Sequence, residues 1–517
     1  MAEVEESRPK EAQTSRTAAV YDELVLKQRY HAVKQLFWCY ITRVDYAHAV
    51  MMAEQDLLTV DEAHDILMGL RRLEHEIDQS FSTREETVFP QGQSFIMDSR
   101  KRFLALVAPE LGEKLYLFRS THELIHTILR MALKDRLGIL TGMVLSVLDG
   151  ILVNARRDSM IPIPARAPGE GVPGQPATWG AYLLGIAELL FRDCERVMTA
   201  LRQLDTSPLG VGDGIDWGVH FNRARLAELL GFRQIQEYTL SPVLMNDGYN
   251  TVYETLQLLF FDISKIVDEL LLRMRSTTPH IWWPEDSGPI RDILEELHLL
   301  SVLSGNTAAS FLRTAETALP YRRGSLFTQQ MSGYHVFDSG IRALRLFDGV
   351  IRVLKGDERA FLKIIDREGL VFREFVAVLT REEQLPADTG RAIGKRLTAY
   401  LSEHRLMATQ VPFEVFQDVF NEEAGRPPQL SEDKFVRMLS PYAFLNTFGI
   451  VNTFSVTLEP VLARYEKLSF DLRGQLDAVI NRSHHADQML AKAVDDLIAR
   501  EPDSRPEAGE TPAEPAS

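Results

Sequence analysis

Ser207 to Phe232 reads SPLGVGDGIDWGVHFNRARLAELLGF. Four glycines, Gly210, Gly212, Gly214 and Gly218, fall within nine positions, so the backbone there must pass close to something, either a neighbouring helix or a bound molecule. The segment then turns helical, with Leu226, Leu229 and Leu230 at helical spacing and Gly231 as a stop. It reads as a loop between two long helices, longer than a tight helix connection requires.

Outward from this loop the apolar residues keep a helical period in both directions. Long helical patterns fill 123–155, 177–204, 249–274, 290–316 and 333–354, and helix follows helix over 21–77, where Thr59 and Glu62 form a capping box. Val252, Leu256, Leu259, Ile263, Ile266, Val267 and Leu270 form one such stripe, which reads as core. Alternating strand patterns are nearly absent, so the chain is expected to be all-α, a long-helix bundle. Segment 356–455 is broken by Pro386, Gly390, Pro412, Gly425, Pro427 and Pro428 and reads as a small separate domain, with an amphipathic helix after Thr457. The division expected is 1–18 a disordered tail, 19–118 an N-terminal helical domain, 119–355 the central bundle, 356–498 the C-terminal domain with its terminal helix, and 499–517 a second disordered tail.

Bulk properties narrow the function classes. A net charge of -16 argues against a nucleic-acid binder and against adhesion to anionic membranes, so anionic small molecules would need locally placed arginines. Two cysteines, Cys39 and Cys194, cannot build a disulfide framework or a thiolate metal site, which suits a reduced, cytoplasmic setting. No charged run leads into an apolar stretch at the N-terminus, so a secretory signal is not expected. The longest apolar run, Leu137 to Val153, carries Asp149, falls short of the roughly 20 residues a bilayer needs, and reads as a helix buried on all sides.

Ser207 to Phe232 resembles, without a gap, the argininosuccinate lyase stretch S-P-L-G-x-G-x-x-x-x-x-G-x-x-x-x-R-x-R-L-A-E-L-L-G-F. Other segments resemble that family in the same order: AHAVMMAEQDLLTVDE from Ala47, GEKLYLFRSTHELIHTILRM from Gly112, QPATWGAYLL from Gln175, and Leu439 to Asn452. The resemblance covers roughly residues 30 to 465. It implies the fumarase/aspartase fold, with three domains, central helices joined into a tetramer core, and active sites built from three subunits. It also implies an elimination that breaks a carbon–nitrogen bond and releases fumarate, with no cofactor and no metal.

Such chemistry requires a base, a carboxylate binder and an acid for the leaving nitrogen. Arg119 and Ser120 stand at the family's Arg-Ser before a helix, where the N-terminus favours anions; the following Arg-Asn-Asp is Thr121, His122 and Glu123 here. Arg119 is either a carboxylate binder or a surface partner of Glu123. His122 and His126 share a helix face at metal-ligand spacing but lack a third ligand, so no metal is expected. Where the family has Thr-His ahead of Gln175, this chain has Gly169 and Glu170, so Glu170 is either a substitute acid or base or a solvated loop residue. The family's lid, G-S-S-x-M-P-Q-K-K-N-P with its serine base, is replaced by STTPHIWWPEDSGP over 276–289, in which Trp282 and Trp283 suggest a plug or a stacking platform. In ALPYRRGSLFTQQ, Tyr321 and Arg323 match the family and Arg322 replaces an asparagine. Asp213, Asp216 and His220 replace small residues in the glycine loop and are further acid–base candidates.

Two readings follow. In one, the chain is a lyase-type enzyme with an altered site, acting on an anionic or amino-acid-like molecule and not on argininosuccinate. The candidate catalytic residues are then Glu170, His220, Asp213 and Asp216, and the candidate binding residues are Arg119, Ser120, Thr121, His122, Gln175, Tyr321, Arg322, Arg323 and Trp282. In the other it is a non-catalytic homologue that binds a ligand or assembles with an active paralogue, because several family residues are replaced together. The assembly expected is a homotetramer or a hetero-oligomer with a paralogue.

Overall fold

The computed structural model describes residues 17–82, 90, 93–164, 176–212, 218–219, 221–237, 247–275, 281–282, 288–315, 325–367, 369–442, 445 and 458–500. Residues 1–16 and 501–517 lie outside them, and the chain is already helical from residue 17.

The fold is all-α. Helices α1 (Lys27–Glu54), α2 (Val60–Ser82), α3 (Phe95–Leu106) and α4 (Pro109–Lys114) precede the central α5 (Thr121–Arg157). They are followed by α6 (Trp179–Leu204), α7 (Arg223–Leu229), α8 (Asp247–Arg275), α9 (Ile290–Ala315) and α10 (Ser325–Val353). A C-terminal group comprises α11 (Glu358–Arg367), α12 (Phe372–Glu382), α13 (Ala387–His404), α14 (Phe413–Ala424) and α15 (Glu432–Met438), and α16 (Leu458–Ala499) returns along the bundle. The capping box read from Thr59 and Glu62 is formed, with Thr59 N donating to Glu62 Oε2 at 3.1 Å and Glu62 N to Thr59 Oγ1 at 3.2 Å.

Helices α8, α9 and α10 pack side by side, while α5 packs on α6, α10, α1 and α16. One hydrophobic core therefore runs from Tyr30 to Phe361 and takes in the inner face of α16. A second, rich in phenylalanine, is confined to Ile365 through Leu439. Pairs of short strands tie the ends of the long helices together: Pro162–Pro164 with Pro176–Thr178, Thr206–Ser207 with Gln234–Ile235, and Ile281–Trp282 with Lys355–Gly356.

Helix α5 spans 37 residues, in line with the helical pattern over 123–155; by length and composition alone it is apolar enough to cross a membrane, and 67% of its most apolar window is buried inside the fold. The expectation that its apolar run is buried on all sides needs correction, since Ile139 and Val153 are 48% and 65% exposed. The amphipathic helix expected after Thr457 is the 42-residue α16, whose spaced leucines pack along α5.

Candidate functional site

The glycine loop is clamped at both ends. Thr206 and Ser207 pair in parallel with Gln234 and Ile235. Buried Lys134 of α5 reaches Asp205 on one side and the carbonyl of Gly231, at 3.0 Å, on the other, and Arg482 of α16 adds a second cation to Asp205 at 2.5 Å. What the loop approaches is the start of α5. Ser120 and Glu123 form a reciprocal capping box, with Ser120 N donating to Glu123 Oε1 at 2.7 Å and Glu123 N to Ser120 Oγ at 3.1 Å. The other carboxylate oxygen, Oε2, accepts from Gly210 N at 2.9 Å and Gly212 N at 3.0 Å. Gly210 has φ +88°, and a Cβ there would lie 2.8 Å from Arg223 Cγ and 2.9 Å from the Phe221 ring, so a side chain is excluded.

Arg119, immediately before the cap, is buried rather than on the surface, and its partner is Asp45 of α1, not Glu123. Its Nη2 donates to Asp45 Oδ1 at 2.5 Å and its guanidinium lies 5.2 Å from the centre of the Tyr116 ring. Nη1 is buried with no hydrogen-bond partner among the described residues. Phe118, just before it, has φ +59°, a left-handed backbone that costs about 1–3 kcal/mol for such a residue. His48, three residues along α1 from Asp45, bonds the carbonyl of Leu117 through Nε2 at 3.1 Å, and its Nδ1 has no partner among the described residues. Burial, then the Arg119 charge, pushes His48 well below the ordinary histidine range, so it is neutral. Burial raises the Asp45 carboxyl, against the pull of Arg119. Asp45, Tyr116, Arg119, Ser120 and Thr121 line a small cleft of about 60 Å³, with room for a carboxylate-sized group or a few waters.

Of the histidine pair, His126 is a satisfied buried residue: Nδ1 meets the Tyr249 hydroxyl at 2.9 Å and its ring stacks on Tyr249, while His122 contacts it edge-on at 4.6 Å. Burial and the neighbouring His122 lower its pKa well below the usual value. Among the described residues no group of three or more His, Cys, Asp or Glu side chains could hold a metal.

Arg119, Ser120, Thr121 and His122 thus lie together at the start of α5. The backbone of Trp282 lies elsewhere, paired with Lys355 just after α10, where Asn154 Nδ2 near the end of α5 donates to the carbonyl of Ile351 at 2.5 Å. A 37-residue helix spans about 55 Å, so within one chain these two candidate regions are a helix-length apart. Glu170, Gln175, Asp213, Asp216, His220, Tyr321, Arg322 and Arg323 lie outside the described residues. Asp45 and His48 were not singled out by the sequence reading. Their signal is two polar residues on the buried stripe Ile41, Val44, Met51 and Met52 of α1, where a charge demands a partner.

Residues 17–281, just over half of the chain, match a family profile described as Lyase. The chain belongs to this lyase family, as an argininosuccinate lyase-like member of the fumarase/aspartase superfamily. It is similar to argininosuccinate lyase 2 of Agrobacterium fabrum, 25% identical over 448 residues that cover 84% of this chain and 88% of that protein. It is also 25% identical to the argininosuccinate lyase of Methanocaldococcus jannaschii over 419 residues, 77% of this chain and 81% of the relative. Among solved structures, a variant of EDDS lyase with bound fumarate superposes with a TM-score of 0.77 at 18% identity, covering 90% of this chain and 93% of that one. The lyase match ends at residue 281, within the stretch 276–289.

Proposed function

We propose that this chain is a cytoplasmic lyase that eliminates an amine from a small carboxylate-bearing, amino-acid-like molecule, or adds one in reverse, and that it does not cleave argininosuccinate. In the forward direction a proton leaves the carbon next to the carboxylate, the carbon–nitrogen bond breaks, and the amine departs protonated. The observation that carries the reading is Arg119, a buried guanidinium with one nitrogen unengaged beside the first turn of a 37-residue helix. Such a donor holds a carboxylate more strongly than an exposed arginine, because water does not compete for it. The family's lid motif with its serine base is echoed in 276–289 only by Ser287, Gly288 and Pro289, which supports a different base; Glu170, Asp213, Asp216 and His220 are the candidates.

The complete site is proposed to require a tetramer. Exposed apolar side chains line the long helices, among them Ile139 and Val153 on α5, Leu258 and Phe261 on α8, and Leu299 and Leu303 on α9. Packing those faces between copies that run opposite ways would bring the Arg119 end of one chain to the Trp282 end of another.

Arg119→Gln is expected to weaken fumarate binding by about ten- to a hundred-fold, the range for a lost hydrogen bond to a charged group. Isothermal titration of the assembled protein reads this, and a change below threefold removes Arg119 from the site. Activity is followed by the ultraviolet absorbance of the unsaturated product. Growth of an arginine-requiring strain on this gene would refute the exclusion of argininosuccinate, and absence of any elimination across an N-substituted aspartate panel would favour the non-catalytic reading.

A further inference from the structure

A second cavity, of about 260 Å³, opens beside the Arg119 cleft between α1, the start of α3 and the first turns of α5. Its walls are mainly apolar, formed by Leu26, Val33, Phe95, Met97 and Ile125, with the ring of Tyr30. Tyr30 brings ring carbon rather than a polar group to the lining, since its hydroxyl donates to Asp98 at 2.6 Å and its ring meets Phe95 edge-on at 5.3 Å. The two spaces are neighbours: Ile96, Met97 and Thr121 line both. Arg29 borders the apolar cavity, and its buried Nε has no hydrogen-bond partner among the described residues.

We infer that this cavity receives an aromatic-sized apolar substituent of the same molecule whose carboxylate Arg119 holds, a specificity element that rests on the carboxylate reading above. The size fits, since an apolar cavity of about 150 Å³ already admits benzene, leaving space here for a short linker. The lining fits as well: the rings of Tyr30 and Phe95, the His122 imidazole and the Arg29 guanidinium suit an aromatic ring better than an alkylammonium or guanidinium tail, since no carboxylate side chain lines the cavity. The substrate class is therefore an N-arylalkyl amino-dicarboxylate rather than one with a cationic side chain.

The test compares L-aspartate with N-benzyl-L-aspartate by isothermal titration on the full-length assembled protein, alongside Val33→Phe and Leu26→Trp, which fill the cavity from its wall and its rim. Tighter binding of the benzyl compound by about ten- to a hundred-fold, with the ratio falling to near one in either variant, supports the inference. Should both variants fail to assemble, the Met97 methyl NMR signal, assigned through Met97→Leu, must shift by ring current when N-benzyl-L-aspartate is added. Equal affinities overturn the inference while leaving the carboxylate reading intact if Arg119→Gln weakens both ligands. A preference that the filled variants retain, or a Met97 signal that stays in place, also overturns it. Binding of neither compound at millimolar concentration removes both readings.

Discussion

Replacing Glu123 by alanine isolates the contact that seats the glycine loop on the start of α5. The side chain is fully buried, and its two oxygens take three backbone N–H groups: Ser120 at 2.7 Å, Gly210 at 2.9 Å and Gly212 at 3.0 Å. Hydrogen bonds to a charged group contribute about 1.5–3 kcal/mol each, and a buried donor left unpaired costs about as much. Water entering the space left by the carboxylate returns part of this, so the two glycine amides together lose about 3 kcal/mol of protection. At a factor of ten per 1.4 kcal/mol, hydrogen exchange in a peptide spanning residues 208–212 should accelerate about a hundredfold. Glu123→Gln keeps one acceptor oxygen, which serves either the glycines or Ser120 but not both, and should give a rise of about tenfold. The assay is native-state exchange read by mass spectrometry, with peptides from α6 as the internal reference. An acceleration below twofold in the alanine variant, with α6 protection unchanged, would show that something other than Glu123 holds the loop.

Lys134→Met leaves Asp205 buried with Arg482 as its remaining cation, so the loss is that of one charge-assisted hydrogen bond, about 1.5–3 kcal/mol, which should appear as a lower urea midpoint. Gly210→Ala forces a Cβ against Phe221 and Arg223 at a left-handed backbone, and a loss of about 1–3 kcal/mol is expected in the same assay. Asp193 is buried on α6 with one carboxylate oxygen unpartnered among the described residues; burial, reinforced by Asp262 and opposed by Arg196, raises its pKa to about 6. The folded chain therefore holds this proton more tightly than the unfolded chain does, so the associated stability is complete below about pH 4 and is lost as pH rises through 6. Asp193→Asn should be more stable than the parent by about 3 kcal/mol at pH 8, with the gap closing towards pH 4 in denaturation curves taken across that range.

Helix periodicity made the architecture legible. The stripe from Val252 to Leu270 needs only the 3.6-residue repeat to be read as one face of a helix, and it is buried as such in α8. Gly231 was readable as a helix stop, and it has φ +72°. Ser207 to Phe232 carried the family resemblance because its glycines answer to local backbone demands that few sequences meet together. The sequence by itself thus determined the all-α class, the position of most long helices and the family, while α10 begins at Ser325, eight residues before the pattern read from 333.

The partners of the charges were decided by the tertiary structure. Arg119 reads equally well in sequence as a surface residue beside Glu123 or as a site residue. Only the packing of α1 on α5 brings Asp45, 74 positions away, against it, turns Glu123 to the glycine loop and leaves Nη1 unengaged. The same holds for the separation of Trp282 from Arg119 by the length of α5. Periodicity reports which face of a helix is buried, but the group that meets a given charge there depends on how distant segments cross, and no local pattern encodes that crossing.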